Sequence, residues 1–96
     1  MADALNTRGV DRSGTIAVGG TAQVLAAENS IRTGLTVQNI SDTDMWINEV
    51  GGTAAAAGTG SFLLPANGGV FQVGTFNAIS IFCATTGKAF TATEYR

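Results

Sequence analysis

The chain contains no histidine, one cysteine (Cys83) and one proline (Pro65). Without histidine the commonest general base, the commonest metal ligand and the usual Ser or Cys triads are all missing. A lone cysteine rules out an intramolecular disulfide and leaves too few thiolates for structural zinc. Charge is also scarce: five Lys and Arg stand against seven Asp and Glu, for a net charge of −2. No basic run supplies the electrostatic footprint of a nucleic-acid binder. There is no apolar run of membrane-spanning length and no signal-peptide pattern, so no membrane partner is expected. Synthesis in a reducing cytoplasm is expected, with exit by a route such as cell lysis. These absences point away from catalysis and cofactors. The expectation is a protein that is not an enzyme and works through contacts with other macromolecules.

What the chain does have is glycine (thirteen), threonine (thirteen) and many Val, Ile and Phe within 96 residues. That composition fits short strands and tight turns in one domain. A domain of this size leaves much of its surface exposed, so self-association is a natural source of further burial. Residues 1–13, with Leu5, Arg8, Val10 and Arg12, show no strand alternation. They are read as an N-terminal arm, either frayed or ordered against a neighbouring subunit, and residues 14–96 as the folded domain.

Within that domain Thr15–Val18 alternates, Gly19-Gly20 suits a two-residue hairpin turn, and Thr21–Leu25 resumes an extended run. Leu35 and Val37 point one way and Thr36 and Gln38 the other, until Ile40 breaks the pattern. Ser41 to Asp44 reads as a turn and Met45–Val50 as a strand. Gly51–Gly60, with four alanines, is too short to nucleate a helix and is expected to be a flexible loop. Ser61–Leu64, Val70–Val73, Ala78–Ala84 and Ala89–Tyr95 complete about eight short strands. The fold class expected is all-β: a small antiparallel β-sandwich or jelly roll, with a small barrel as the alternative.

The residues that invite a chemical role read more simply as structure. Cys83 lies in the most apolar strand and is expected to be buried packing rather than a nucleophile. Asp42 and Asp44 are too few for a calcium loop, and the seven acids lie mostly in turns and ends rather than across a cleft. The glycine pairs lack the Lys and helix of a phosphate loop. Trp46 allows two readings, a core aromatic beside Ile47 or an exposed anchor for a protein or sugar. Met45 and Ile47 occupy the opposite face of its strand, so both faces are apolar and one needs outside cover. Phe82 likewise points away from Ile79, Ile81 and Cys83 and marks a second contact surface.

The stretch from Arg32 to Ile47 (Arg-Thr-Gly-Leu-Thr-Val-Gln-Asn-Ile-Ser-Asp-Thr-Asp-Met-Trp-Ile) resembles a pattern in small structural proteins of tailed bacteriophages. The Gly/Ala-rich segment Gly51–Gly60, the Pro-containing turn within Ser61–Asn67 and the Ile-rich strand with its Thr-Gly-Lys turn in Ile79–Lys88 extend the likeness. The resemblance implies a β-sandwich or jelly-roll protein on the virion: a decoration (cement) protein on the outer surface of the head. Such proteins are small and often trimeric, and they sit across joints between major capsid subunits. The partners it implies are the major capsid protein and further copies of the chain, as a homo-oligomer, with a trimer expected. Leu5, Arg8, Val10 and Arg12 would then make the arm contacts. The alternative is a carbohydrate- or receptor-binding module on a tail or fibre, with Trp46 or Tyr95 as its stacking platform.

Overall fold

The computed structural model describes residues 8–96, and among these it shows nine strands and no helix. They are β1 (Gly9–Asp11), β2 (Gly14–Thr15), β3 (Gln23–Ala26), β4 (Gly34–Asn39), β5 (Met45–Asn48), β6 (Ser61–Leu64), β7 (Val70–Val73), β8 (Ile79–Cys83) and β9 (Ala89–Tyr95). Two antiparallel sheets result. One has the order β1-β9-β4-β7, with β2 also on β9, and the other β3-β8-β5-β6. β1 and β2 lie along successive parts of β9 and act as one interrupted strand. The pairings β1/β2 with β9, β3 with β8, β4 with β7 and β5 with β6 are nested, so the chain forms one long antiparallel ribbon. Wound over itself, that ribbon is a jelly-roll sandwich.

The alternation of side chains decides what fills it. Leu35 and Val37 of β4, Ile79, Ile81 and Cys83 of β8, Met45 and Ile47 of β5, Phe90 and Ala92 of β9, Leu64 and Val73 all face inward and are buried. Fully burying each of the larger ones contributes about 1.5–3 kcal/mol. Cys83 is completely enclosed, as its strand pattern implied.

Three corners carry the ribbon from one sheet to the other, and each is held by particular residues. At the first, Gly19-Gly20 is not a hairpin, because β2 pairs with β9 while β3 pairs with β8. The chain crosses between sheets here, with Gly19 N–H on Thr86 Oγ1 (2.7 Å) and Gly20 N–H on the Cys83 carbonyl (2.9 Å). A Cβ at position 19 would lie 2.5 Å from the Ala84 carbonyl oxygen, so only glycine lets the two connections pass this closely.

Arg32 clamps the second corner. It donates Nη1 to the carbonyls of Thr75 (3.2 Å) and Asn77 (2.9 Å), Nη2 to that of Ala27, and Nε to Glu94 Oε2 (2.7 Å). The third belongs to Asn39, fully buried at the end of β4. Its Nδ2 reaches the carbonyls of Thr43 (2.8 Å) and Leu64 (3.0 Å), and its Oδ1 accepts from Ser41 N–H (2.9 Å) and Oγ (2.7 Å). The Leu64 carbonyl belongs to the other sheet, so a single amide ties the two layers together.

The sheet already begins at Gly9, inside the segment expected to be an arm. Val10 faces Glu94 and Asp11 faces Thr93 across an antiparallel ladder. Two short runs separated by Arg12 and Ser13 carry too little alternation to be seen as strands. They form because β9 extends to Tyr95 and offers them a partner.

Candidate functional site

Several polar groups with chemical capability are taken up in holding the fold. Asp42 pairs with Lys88 Nζ at 2.8 Å, and that hydrogen bond and charge, helped by Thr43, hold its carboxyl below the usual range. Asp44 accepts the Ala66 N–H (2.9 Å), and Ser13 keeps the Asp11 carboxyl low. Burial pushes the Glu94 carboxyl up, but hydrogen bonds from Arg32 and Arg12, and then their charges, outweigh it and leave the pKa lowered. No group of His, Cys, Asp or Glu among the described residues is arranged to hold a metal ion. The hollow between Gln23, Val24, Gly51–Thr53 and Ile79 holds about 210 Å³, below the range of ordinary small-molecule sites.

The two outward sheet faces differ sharply in character. On the β1-β9-β4-β7 sheet the outward positions are Thr36, Gln38, Thr91, Thr93, Gln72 and Tyr95, a largely polar face with Val70 at its margin. On the β3-β8-β5-β6 sheet, Trp46 lies directly opposite Phe82 on one side and Leu63 on the other. Trp46 and Phe82 are half-buried, and Leu63 is 45% exposed. One cross-strand row on this face therefore consists of Phe82, Trp46 and Leu63. Neighbouring side chains at such positions stand about 5 Å apart, close enough to form one continuous apolar strip.

The adjoining row, Ser80, Asn48 and Ser61, has a different fate. The segment after β5 folds back over it: Ala54 N–H donates to Ser80 Oγ (2.9 Å), Ala55 N–H to Ser61 Oγ (3.1 Å), and Gly52 N–H to Asn48 Oδ1 (3.0 Å). The Gly/Ala-rich loop expected to be flexible is thus anchored, with Ala54 buried, because three outward polar side chains accept its N–H groups. It covers the polar row and leaves the aromatic one open.

No family model, curated protein or solved structure matches the chain.

Trp46 and Phe82, singled out separately in the sequence, are brought side by side by the β5–β8 register. Leu63, their third member, escaped notice because nothing local shows which strand β6 will join. The arm residues fare differently. Leu5 lies outside the described residues. Arg8 is exposed, and its backbone exchanges two hydrogen bonds with Arg96 (2.6 and 2.9 Å). Val10 is half-buried in β1. Arg12, expected among the arm contacts to a neighbouring subunit, donates Nε and Nη2 to Glu94 Oε1 of its own chain (3.1 and 2.9 Å). The sequence carries a further signal: no charged residue occurs between Glu49 and Lys88, a span that supplies β6, β7 and β8.

Proposed function

We propose that the protein is a virion structural protein, a decoration (cement) protein on the outer surface of a phage head. In this reading it binds the major capsid protein through the outward face of the β3-β8-β5-β6 sheet and associates with further copies of itself. The observation that carries the proposal is the row Phe82–Trp46–Leu63, an aromatic and aliphatic strip open on one sheet face while the other face is polar. Large rings open on one sheet face suit a protein interface, where such anchors dominate the binding energy. Jelly-roll sandwiches recur in viral capsid domains and in lectins, so the architecture is compatible with both this reading and a glycan-binding one. The site favours the first: a sugar platform needs polar groups beside the ring, and those two residues to either side of Trp46 are already engaged, the Asn48 amide oxygen by the N–H groups of Val50 and Gly52 and an Asp44 carboxylate oxygen by that of Ala66. Stabilisation would follow from linkage, since a protein that binds only the assembled lattice favours that lattice, and many copies on one shell reinforce one another.

Co-sedimentation with expanded capsids lacking the protein tests this directly. Wild type is expected to pellet with the capsids, Trp46→Ala with Phe82→Ala to remain in the supernatant while staying folded, and Thr91→Ala on the opposite face to behave as wild type. Wild-type protein that leaves capsids unbound, or binding indifferent to the double substitution, overturns the proposal. Glycan binding lost on Trp46→Ala would establish the lectin alternative instead.

A further inference from the structure

Of the six asparagines in the chain only Asn67 is followed by glycine. It lies exposed in the turn of residues 65–69, between β6 and β7. Its backbone is in the left-handed region (φ 63°), which asparagine tolerates better than most residues, and Gly68 follows at φ 108°. The amide oxygens of Asn29, Asn39 and Asn48 each accept a backbone N–H. The Asn67 side chain instead stands in solvent, next to a main-chain nitrogen that carries no Cβ beside it.

That pair of residues has a chemistry of its own. The Gly68 nitrogen, once it gives its proton to hydroxide or water, can attack Asn67 Cγ. A bond forms between Gly68 N and Asn67 Cγ, the Cγ–Nδ2 bond breaks, and the amide nitrogen leaves as ammonia. Water then opens the resulting succinimide ring. Cleavage of the new N–Cγ bond gives aspartate, and cleavage between Gly68 N and the Asn67 main-chain carbonyl carbon gives isoaspartate. Asparagine is for such reasons a thermolabile residue. In the folded chain, however, the attacking nitrogen is occupied. Gly68 N–H donates to the Asn39 carbonyl at 2.8 Å, Asn67 N–H to that of Ser41 at 2.8 Å, and Asn39 N–H to that of Gly69 at 2.8 Å, so the pairing of β4 with β7 continues into the turn. Gly69 N–H closes the turn on the Pro65 carbonyl (3.1 Å), and a Cβ at Gly69 would lie 2.5 Å from that same oxygen. Bringing Gly68 N to Asn67 Cγ breaks the bond to Asn39 and rotates a peptide plane held on both sides, which requires a local opening.

We propose that Asn67 is a modification site, converted through the Gly68 nitrogen to isoaspartate and aspartate, and that opening of the turn sets the rate. Either product places a negative charge in a stretch that has none from Val50 to Gly87. Isoaspartate also lengthens the main chain by a carbon between the N–H that bonds Ser41 and the N–H that bonds Asn39. Those two bonds cannot then keep their present spacing, and they lie at the corner that the Asn39 amide holds.

The conversion needs no capsid, so purified full-length protein tests it independently of the capsid reading. The protein is held in mildly alkaline buffer, folded or unfolded in urea. Acidic species are followed by isoelectric focusing and located by peptide mass mapping, with isoaspartate scored by isoaspartyl methyltransferase. The unfolded chain is expected to gain its first acidic product at Asn67, and the folded protein to form that product at least roughly tenfold more slowly. Asn67→Gly in urea, where its fold is immaterial, should lack the product. Equal rates in folded and unfolded protein, a first acidic product at another asparagine, or an Asn67 that survives in urea overturns the proposal. Capsid co-sedimentation can still succeed in each of those cases.

Discussion

Replacing Glu94 with Gln is expected to remove a large part of the stability of this fold. Glu94 is buried on β9, where it receives Arg32 at 2.7 Å and Arg12 at 2.9 Å. The Arg32 side chain is fully enclosed, whereas that of Arg12 is 37% exposed. Glutamine keeps the shape and one acceptor oxygen but leaves the Arg32 charge buried without a counter-ion. Breaking a buried pair from one side costs about 3–5 kcal/mol, a large share of the roughly 5–15 kcal/mol that holds a domain together. The second corner of the ribbon should loosen with it, since Arg32 also ties down Ala27, Thr75 and Asn77.

Urea unfolding measures the loss, and its pH dependence identifies the cause. A carboxylate whose pKa is lowered by folding stabilises the protein above its unfolded value, ordinarily 4.5. That contribution disappears as pH falls through the lower folded value. Wild type should therefore hold its stability above about pH 5 and lose it on acidification, and Glu94→Gln should lose less over the same range. Asp11 and Asp42, also lowered, contribute a slope common to both proteins. Arg12→Ala, which removes only the part-exposed partner, should cost about 1 kcal/mol. A Glu94→Gln protein within about 1 kcal/mol of wild type, with an unchanged acid slope, would refute this account of the buried network.

Two further outcomes test the packing. Asn39→Ala removes the amide donor from the Leu64 carbonyl and the acceptor from Ser41 N–H and leaves the Thr43 carbonyl only its bond from Ser41 Oγ; it should cost about 2–4 kcal/mol, read as a lower urea midpoint at unchanged slope, and a loss no larger than that of an exposed substitution would show that the amide does not join the layers. The Cys83 thiol, fully enclosed, should react with a thiol reagent only as fast as the protein opens, with labelling accelerated by urea; immediate labelling in native buffer would contradict its burial.

Much of the fold was legible from periodicity. The alternation in Leu35–Asn39 and in Ile79–Cys83 set which side chains face inward, because a period of two fixes the face once a residue is in a strand. The break at Ile40 marked the end of β4 for the same reason. The short neutral strands and glycine turns were enough to indicate a sandwich. The corners were not legible. Gly19-Gly20 has the composition of a hairpin turn, and only the pairing of β2 with β9 makes it a crossover. Arg32 and Asn39 stood within a recognisable stretch of sequence, but their carbonyl partners lie in segments remote along the chain.

The candidate contact surface divides in the same way. Sequence determined that Trp46 lies on the face opposite Met45 and Ile47, and Phe82 on the face opposite Ile79, Ile81 and Cys83, since alternation is local, but it left Trp46 as either a core aromatic or an exposed anchor. Tertiary structure decided that they stand side by side with Leu63. It also decided that the Gly/Ala loop shields the polar row beside them and that Arg12 turns inward to Glu94. Strand register and loop packing depend on which segments meet, and those meetings are long-range contacts that no window of neighbouring residues encodes.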